Sequence, residues 1–77
     1  MAEVVKDGYI LDIEDIPHGQ PITGGVIQQR VARHTGEETA GVPYVNREGR
    51  LTHIGSDEQV TLHPGDRIGF TAPFETA

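Results

Sequence analysis

The chain has 77 residues, with twelve acidic and six basic side chains, a formal charge of −6 and no cysteine. That length supports a single domain with one thin core, because a chain of this size buries only roughly 60% of its unfolded surface. The missing cysteine excludes disulfide staples, thiolate metal sites and a cysteine nucleophile, and the acidic balance argues against nucleic acid as the main partner.

No apolar run approaches the roughly 20 residues of a membrane span. Met1-Ala2-Glu3 lacks the basic and apolar pattern of a signal peptide. The sequence therefore predicts a cytoplasmic domain with no membrane partner. Its charge is unevenly placed. Residues 1–22 carry Glu3, Asp7, Asp12, Glu14 and Asp15 against Lys6, whereas residues 23–36 carry Arg30 and Arg33 and no acid. A solvated surface accounts for both patches, and a partner surface with two electrostatic poles is the sharper alternative.

In chain order, residues 8–16 (GYILDIEDI) alternate as a half-buried strand, with Tyr9, Leu11 and Ile13 toward the core and Ile10, Asp12 and Glu14 away from it. Pro17-His18-Gly19-Gln20 predicts a turn. Gln20-Pro21-Ile22 predicts a short strand kept to an edge by its proline. The stretch from Thr23 to Gly36 predicts the helix. Thr23 serves as N-cap, Ile27 and Val31 form an apolar stripe with Val26 beside it, and Gly36 closes the helix in a left-handed conformation. A helix of about three turns is not stable alone and has to be held by a sheet.

Past a polar connection at residues 37–41, Val42 to Asn46 predicts a strand, Arg47-Glu48-Gly49 a tight turn, and Arg50 to Ile54 a returning strand. Residues 55–58 predict a loop and Val60 to Leu62 a short apolar stretch. His63-Pro64-Gly65-Asp66 has the residue order of a type II turn. Arg67 to Ala72 predicts the last strand, with Ile68, Phe70 and Ala72 on one face. The expected fold is α+β: a ubiquitin-like β-grasp, with a mixed sheet of four to five strands and one helix packed across one face. The N- and C-terminal strands are expected side by side at the centre, with the proline-bearing strands outside.

Few residues suggest catalysis or ligand binding. His18, His34, His53 and His63 are scattered over two turns, a helix end and a strand, without metal-ligand spacing. His34 suits a helix C-terminus through the macrodipole. Thr23-Gly24-Gly25 before a helix has the chemistry to cradle a phosphate. It lacks the rest of a P-loop, and an ordinary helix start is the favoured reading. Carboxylates are plentiful, but no pair reads as a general acid and base, and no nucleophile, base and oxyanion set is present. No catalytic residue, metal or cofactor is expected, so the chain is not read as an enzyme. Asp66 is expected to bond back to its own turn, and the carboxylates as a group are expected to be exposed, none of them strongly perturbed.

With this order of elements, GYILDIEDIPHGQPITGGVIQQRVARHTG resembles the start of bacterial multi-ubiquitin-domain proteins. The matching positions are Ile22, Thr23 and Gly24 before the helix, Ile27 one turn in, and Gly36 closing it. DEQVTLHPGDRIGFTAP is similar to the same family's closing segment, at Val60, Leu62, Pro64, Gly65, Asp66 and Phe70, and also to sulfur-carrier β-grasp proteins. The resemblance covers residues 8–73, leaving 74–77 as a tail on a single ubiquitin-like domain spanning 1–77.

The resemblance implies a prokaryotic ubiquitin-like protein modifier. Its C-terminus would be activated by an E1-like enzyme, passed to an E2-like enzyme, attached to target proteins and removed by a deubiquitinase-like protease, in some systems as part of antiphage defence. It assigns conjugation to the tail, Pro73, Phe74, Glu75, Thr76 and Ala77. Docking is assigned to the sheet face opposite the helix, where strand alternation selects Ile10, Thr52 and Ile54. The tail departs from the family's terminal glycine. A truncated terminus, a modifier that uses another residue, and a β-grasp interaction or adaptor module that is not conjugated all remain open. A sulfur carrier also ends in glycine.

Overall fold

The structure, a computed structural model, describes residues 2–6, 9–38 and 41–71, and of Lys6 and Thr71 the main chain alone. It opens with a strand that the sequence pattern does not predict, β1 (Ala2–Lys6). β2 (Tyr9–Ile13) returns antiparallel to it. Then follow β3 (Pro21–Thr23), α1 (Gly24–Thr35), β4 (Val42–Arg47), β5 (Arg50–His53), β6 (Gln59–Thr61) and β7 (Arg67–Thr71). The main sheet has five strands in the order β2-β1-β7-β4-β5, and β3 pairs with β6 in a separate two-stranded ribbon.

β1 and β7 lie side by side and parallel, while the other pairs are antiparallel. One helix lies across one face of this mixed sheet, which is the α+β, β-grasp-like architecture expected. Two placements differ from expectation. The strand read as first, β2, is an edge strand, and the unpredicted β1 takes the place beside β7. β4 carries Pro43 yet lies between β7 and β5. Its proline is tolerated for a local reason. The Pro43 carbonyl accepts from the Ile54 N–H at 2.9 Å, so the position of its missing N–H also faces the β5 side, just past the end of that strand.

The register fixes which side chains are inside. Val4 faces Leu11 and Ala2 faces Ile13 across β1 and β2. Val4 is level with Ile68, and Ile68 with Val45, across β7 and β4. Val4, Ile13, Ile27, Val31, Leu62 and Ile68 are all essentially inaccessible. Leu11, Val26, Val60 and Phe70 pack against this core. Tyr9 shares the parity of Leu11 and Ile13 but is 73% exposed. It sits at the hairpin end of β2, outside the core in which it was expected.

Local signals set the helix. The Thr23 hydroxyl accepts from the Val26 N–H at 3.3 Å. Gly36 closes the helix at φ 78°, its N–H donating to the Ala32 carbonyl at 2.8 Å. Ile27 and Val31 carry its buried stripe. Gly24 is needed for contact: a Cβ there would stand 2.5 Å from the Gly55 carbonyl oxygen.

The closing turn is as expected. The Asp66 N–H donates to the His63 carbonyl at 3.0 Å, and Gly65 takes φ 94°. The Asp66 side chain is buried and bound more widely than its own turn. It accepts from the His63 N–H at 2.8 Å, from Arg47 Nε at 2.9 Å and from Arg47 Nη2 at 2.6 Å. Arg47 also donates to the Thr61 carbonyl at 3.2 Å. This clamp ties the end of β4 to β6 and to the turn before β7. The Arg47 guanidinium and the His63 N–H hold the Asp66 carboxyl below the usual carboxylate range, outweighing burial, which acts the other way. The expectation of uniformly exposed, unperturbed carboxylates is therefore corrected at Asp66.

Candidate functional site

Side chains of a strand alternate between the two sheet faces, so the core residues identify the face left open. Val4, Ile13, Ile68 and Val45 point to the helix, and the residues between them point away. Register then assembles a row across all five strands. Ile10 faces Val5, and the parallel β1–β7 register carries Val5 level with Gly69. Gly69 faces Tyr44 and Tyr44 faces His53.

Gly69 leaves room for the Tyr44 ring. A Cβ at that position would run into the ring end of Tyr44, so the tyrosine lies flat across β7. The Tyr44 and His53 rings then meet edge to face at 6.1 Å and 74°. A second row, Asp12, Glu3, Arg67, Asn46 and Leu51, runs beside the first. Arg67 Nε donates to Glu3 Oε1 within it at 3.2 Å. Ile10 is 52% exposed, Leu51 55% and Val42 38%. The open face is thus an apolar and aromatic band with one internally paired polar row. Such a surface suits protein docking.

Of the three docking residues selected from sequence, only Ile10 lies on this face. Thr52 is exposed but pairs with core-facing Val45, so it points to the helix side. Ile54 shares that parity and is buried at 3%. Their assignment to the open face is corrected: the alternation of β5 is shifted by one residue, which exchanges the faces. Leu51 and His53 are the β5 residues that reach the open face. Tyr44 and Gly69 were not selected from sequence, and their pairing is set by a register between distant strands. The tail residues Pro73, Phe74, Glu75, Thr76 and Ala77 lie outside the described residues.

The helix start does not cradle an anion. The Gly24 N–H donates to the Glu58 carbonyl at 3.2 Å and the Gly25 N–H to the Ser56 carbonyl at 3.1 Å. The Val26 N–H is held by Thr23. The loop at residues 55–58 occupies the place a phosphate would take, and the Glu58 carboxylate braces that loop by accepting from the Gly55 N–H at 2.7 Å. Among the described residues no three His, Cys, Asp or Glu side chains come together as a metal site, and no helix is long and apolar enough to cross a membrane. Arg30 donates to the Asp15 carbonyl, and His34 lines one shallow depression with Asp12, Glu14 and Asp15. No protein-family model, no curated protein and no solved structure matches the chain.

Proposed function

We propose that the chain is a ubiquitin-like protein modifier, a substrate of an E1-like enzyme that docks on the open face of the sheet. One observation supports the reading above others. The short motifs that carry the family resemblance fill the positions where a β-grasp needs those residues. Thr23 caps the helix and Gly24 admits the loop that latches it. Ile27 is in the core and Gly36 ends the helix. Pro64, Gly65 and Asp66 form the turn that starts the strand next to β1.

In this role the chain is the acyl group that is carried, and it supplies no catalytic residue. Its terminal carboxylate attacks the α-phosphate of ATP, forming an acyl adenylate and releasing pyrophosphate. An enzyme thiolate displaces AMP to give a thioester, and a target amine displaces the thiol to give an amide. The band of Ile10, Tyr44 and Leu51 orients the protein on each enzyme.

The test combines the natural full-length protein, an E1-like enzyme from the same genome and ATP, read by intact-mass spectrometry. An adenylate or a thiol-labile enzyme adduct is expected, and Ile10→Asp should slow its formation without unfolding the domain. Binding through the open face with no adduct would replace this reading with that of an adaptor. Neither binding nor adduct would remove both.

A further inference from the structure

The helix packs on β2, β3 and β4, and all four residues of β5 remain exposed. The helix-side face of β5 is therefore uncovered, and beneath it lies an open groove of about 500 Å³. Val45, Ile54 and Val60 form its apolar floor, and Arg47, Arg50 and Thr52 form its rim. It is on the other side of the sheet from the band described above and is independent of the modifier reading.

The outer edge of β5, the last strand in the sheet order, adjoins this groove. The Ile54 N–H donates to Pro43 on β4. In an antiparallel ladder alternate residues turn both main-chain groups to the same neighbour. Thr52 and Arg50 therefore also face β4, while Leu51 and His53 turn their main-chain groups outward. Those of Leu51 meet no partner among the described residues.

We propose that the β5 edge and this groove together form a docking site for an acidic, extended segment of a partner protein. The segment adds as a strand beside β5, pairing with the main chain of Leu51. Its side chains alternate in direction, so every second one enters the groove. An apolar residue there packs against Val60, the part-buried member of that floor, and an aspartate or glutamate meets the Arg50 guanidinium. Charge selects this occupant. Arg47 is neutralised by Asp66, whereas the Arg50 guanidinium has no hydrogen-bond or ion-pair partner among the described residues. The one acid on the rim, Glu48, stands at the hairpin tip. A basic segment is repelled by Arg50, and a second copy of the chain brings a further −6 of charge.

The test titrates the isotope-labelled protein with the blocked peptide Thr-Val-Thr-Glu-Thr-Val-Thr, and with the same peptide carrying lysine for glutamate. Amide shifts at residues 50–54 and at Val60 are expected with the glutamate peptide, together with slower exchange of the Leu51 amide. Arg50→Glu should weaken that peptide about tenfold, as for a charge pair across an interface, and strengthen the lysine peptide. Arg50 is exposed, so the variant should keep the remaining spectrum unchanged. The proposal is overturned by an absence of shifts at millimolar peptide, by shifts centred on Ile10 and Tyr44, or by Arg50→Glu leaving the peptide preference intact. Self-association through β5 without peptide would make a second copy the occupant and would also overturn it.

Discussion

Asp66 is the residue on which distant parts of the chain converge. Its carboxylate is 4% exposed and is bonded by Arg47 from β4 and by the His63 N–H from its own turn. Asp66→Asn keeps the shape and removes the charge, so it should cost about 1.5–3 kcal/mol, the worth of a hydrogen bond to a charged group. The folded carboxyl is held below its ordinary value of 3.8. Its contribution is therefore fully present above that value and is lost as pH falls through the lower folded value. Urea midpoints at neutral pH and below about pH 3 should fall for the natural chain and fall less for Asp66→Asn. Equal falls in the two proteins would refute the clamp. The turn itself is legible in the sequence, because proline and glycine at its central positions fix its type within four residues. Arg47 is 19 residues away, and nothing local couples it to Asp66.

The helix was legible because its determinants are local: a threonine cap, an i, i+4 pair of apolar residues and a closing glycine. β1 was not, because it has Val4 and Val5 in succession, one for each face, and so lacks the alternation that marks a half-buried strand. β5 was legible as a strand but not in its facing, since its parity is decided by which residue of β4 enters the core. Gly24 separates local from tertiary control of the helix. By propensity alone, Gly24→Ala should stabilise by about 1 kcal/mol. The Gly55 carbonyl oxygen stands where that methyl group would go, and overpacking of this kind costs about 1–3 kcal/mol. The denaturant midpoint should therefore fall. A rise would mean that the loop at residues 55–58 gives way easily and is not a latch on the helix.

At the scale of the whole molecule, the described residues of the main sheet end in two edges, β2 and β5, with an uncovered apolar band between them. Surfaces of this kind join unless something keeps copies apart. Here the deterrent is charge. The chain carries −6 at pH 7, with a pI near 4.9, and β2 is followed at once by Glu14 and Asp15 beyond its own Asp12. At the pI that repulsion vanishes. Asp66 titrates lower still, so the clamp remains formed and the fold persists. The chain should be a monomer at pH 7 in low salt and should self-associate near its pI with an unchanged circular dichroism spectrum. Added salt at pH 7 should move it part of the way, because screening shortens the reach of the repulsion. Ile10→Asp adds a charge to the exposed band and should reduce the association near the pI. Light scattering on a sizing column measures all three. A stable dimer at pH 7 in low salt would show that copies pair by contacts strong enough to overcome the charge, and the open band would then be a self-interface.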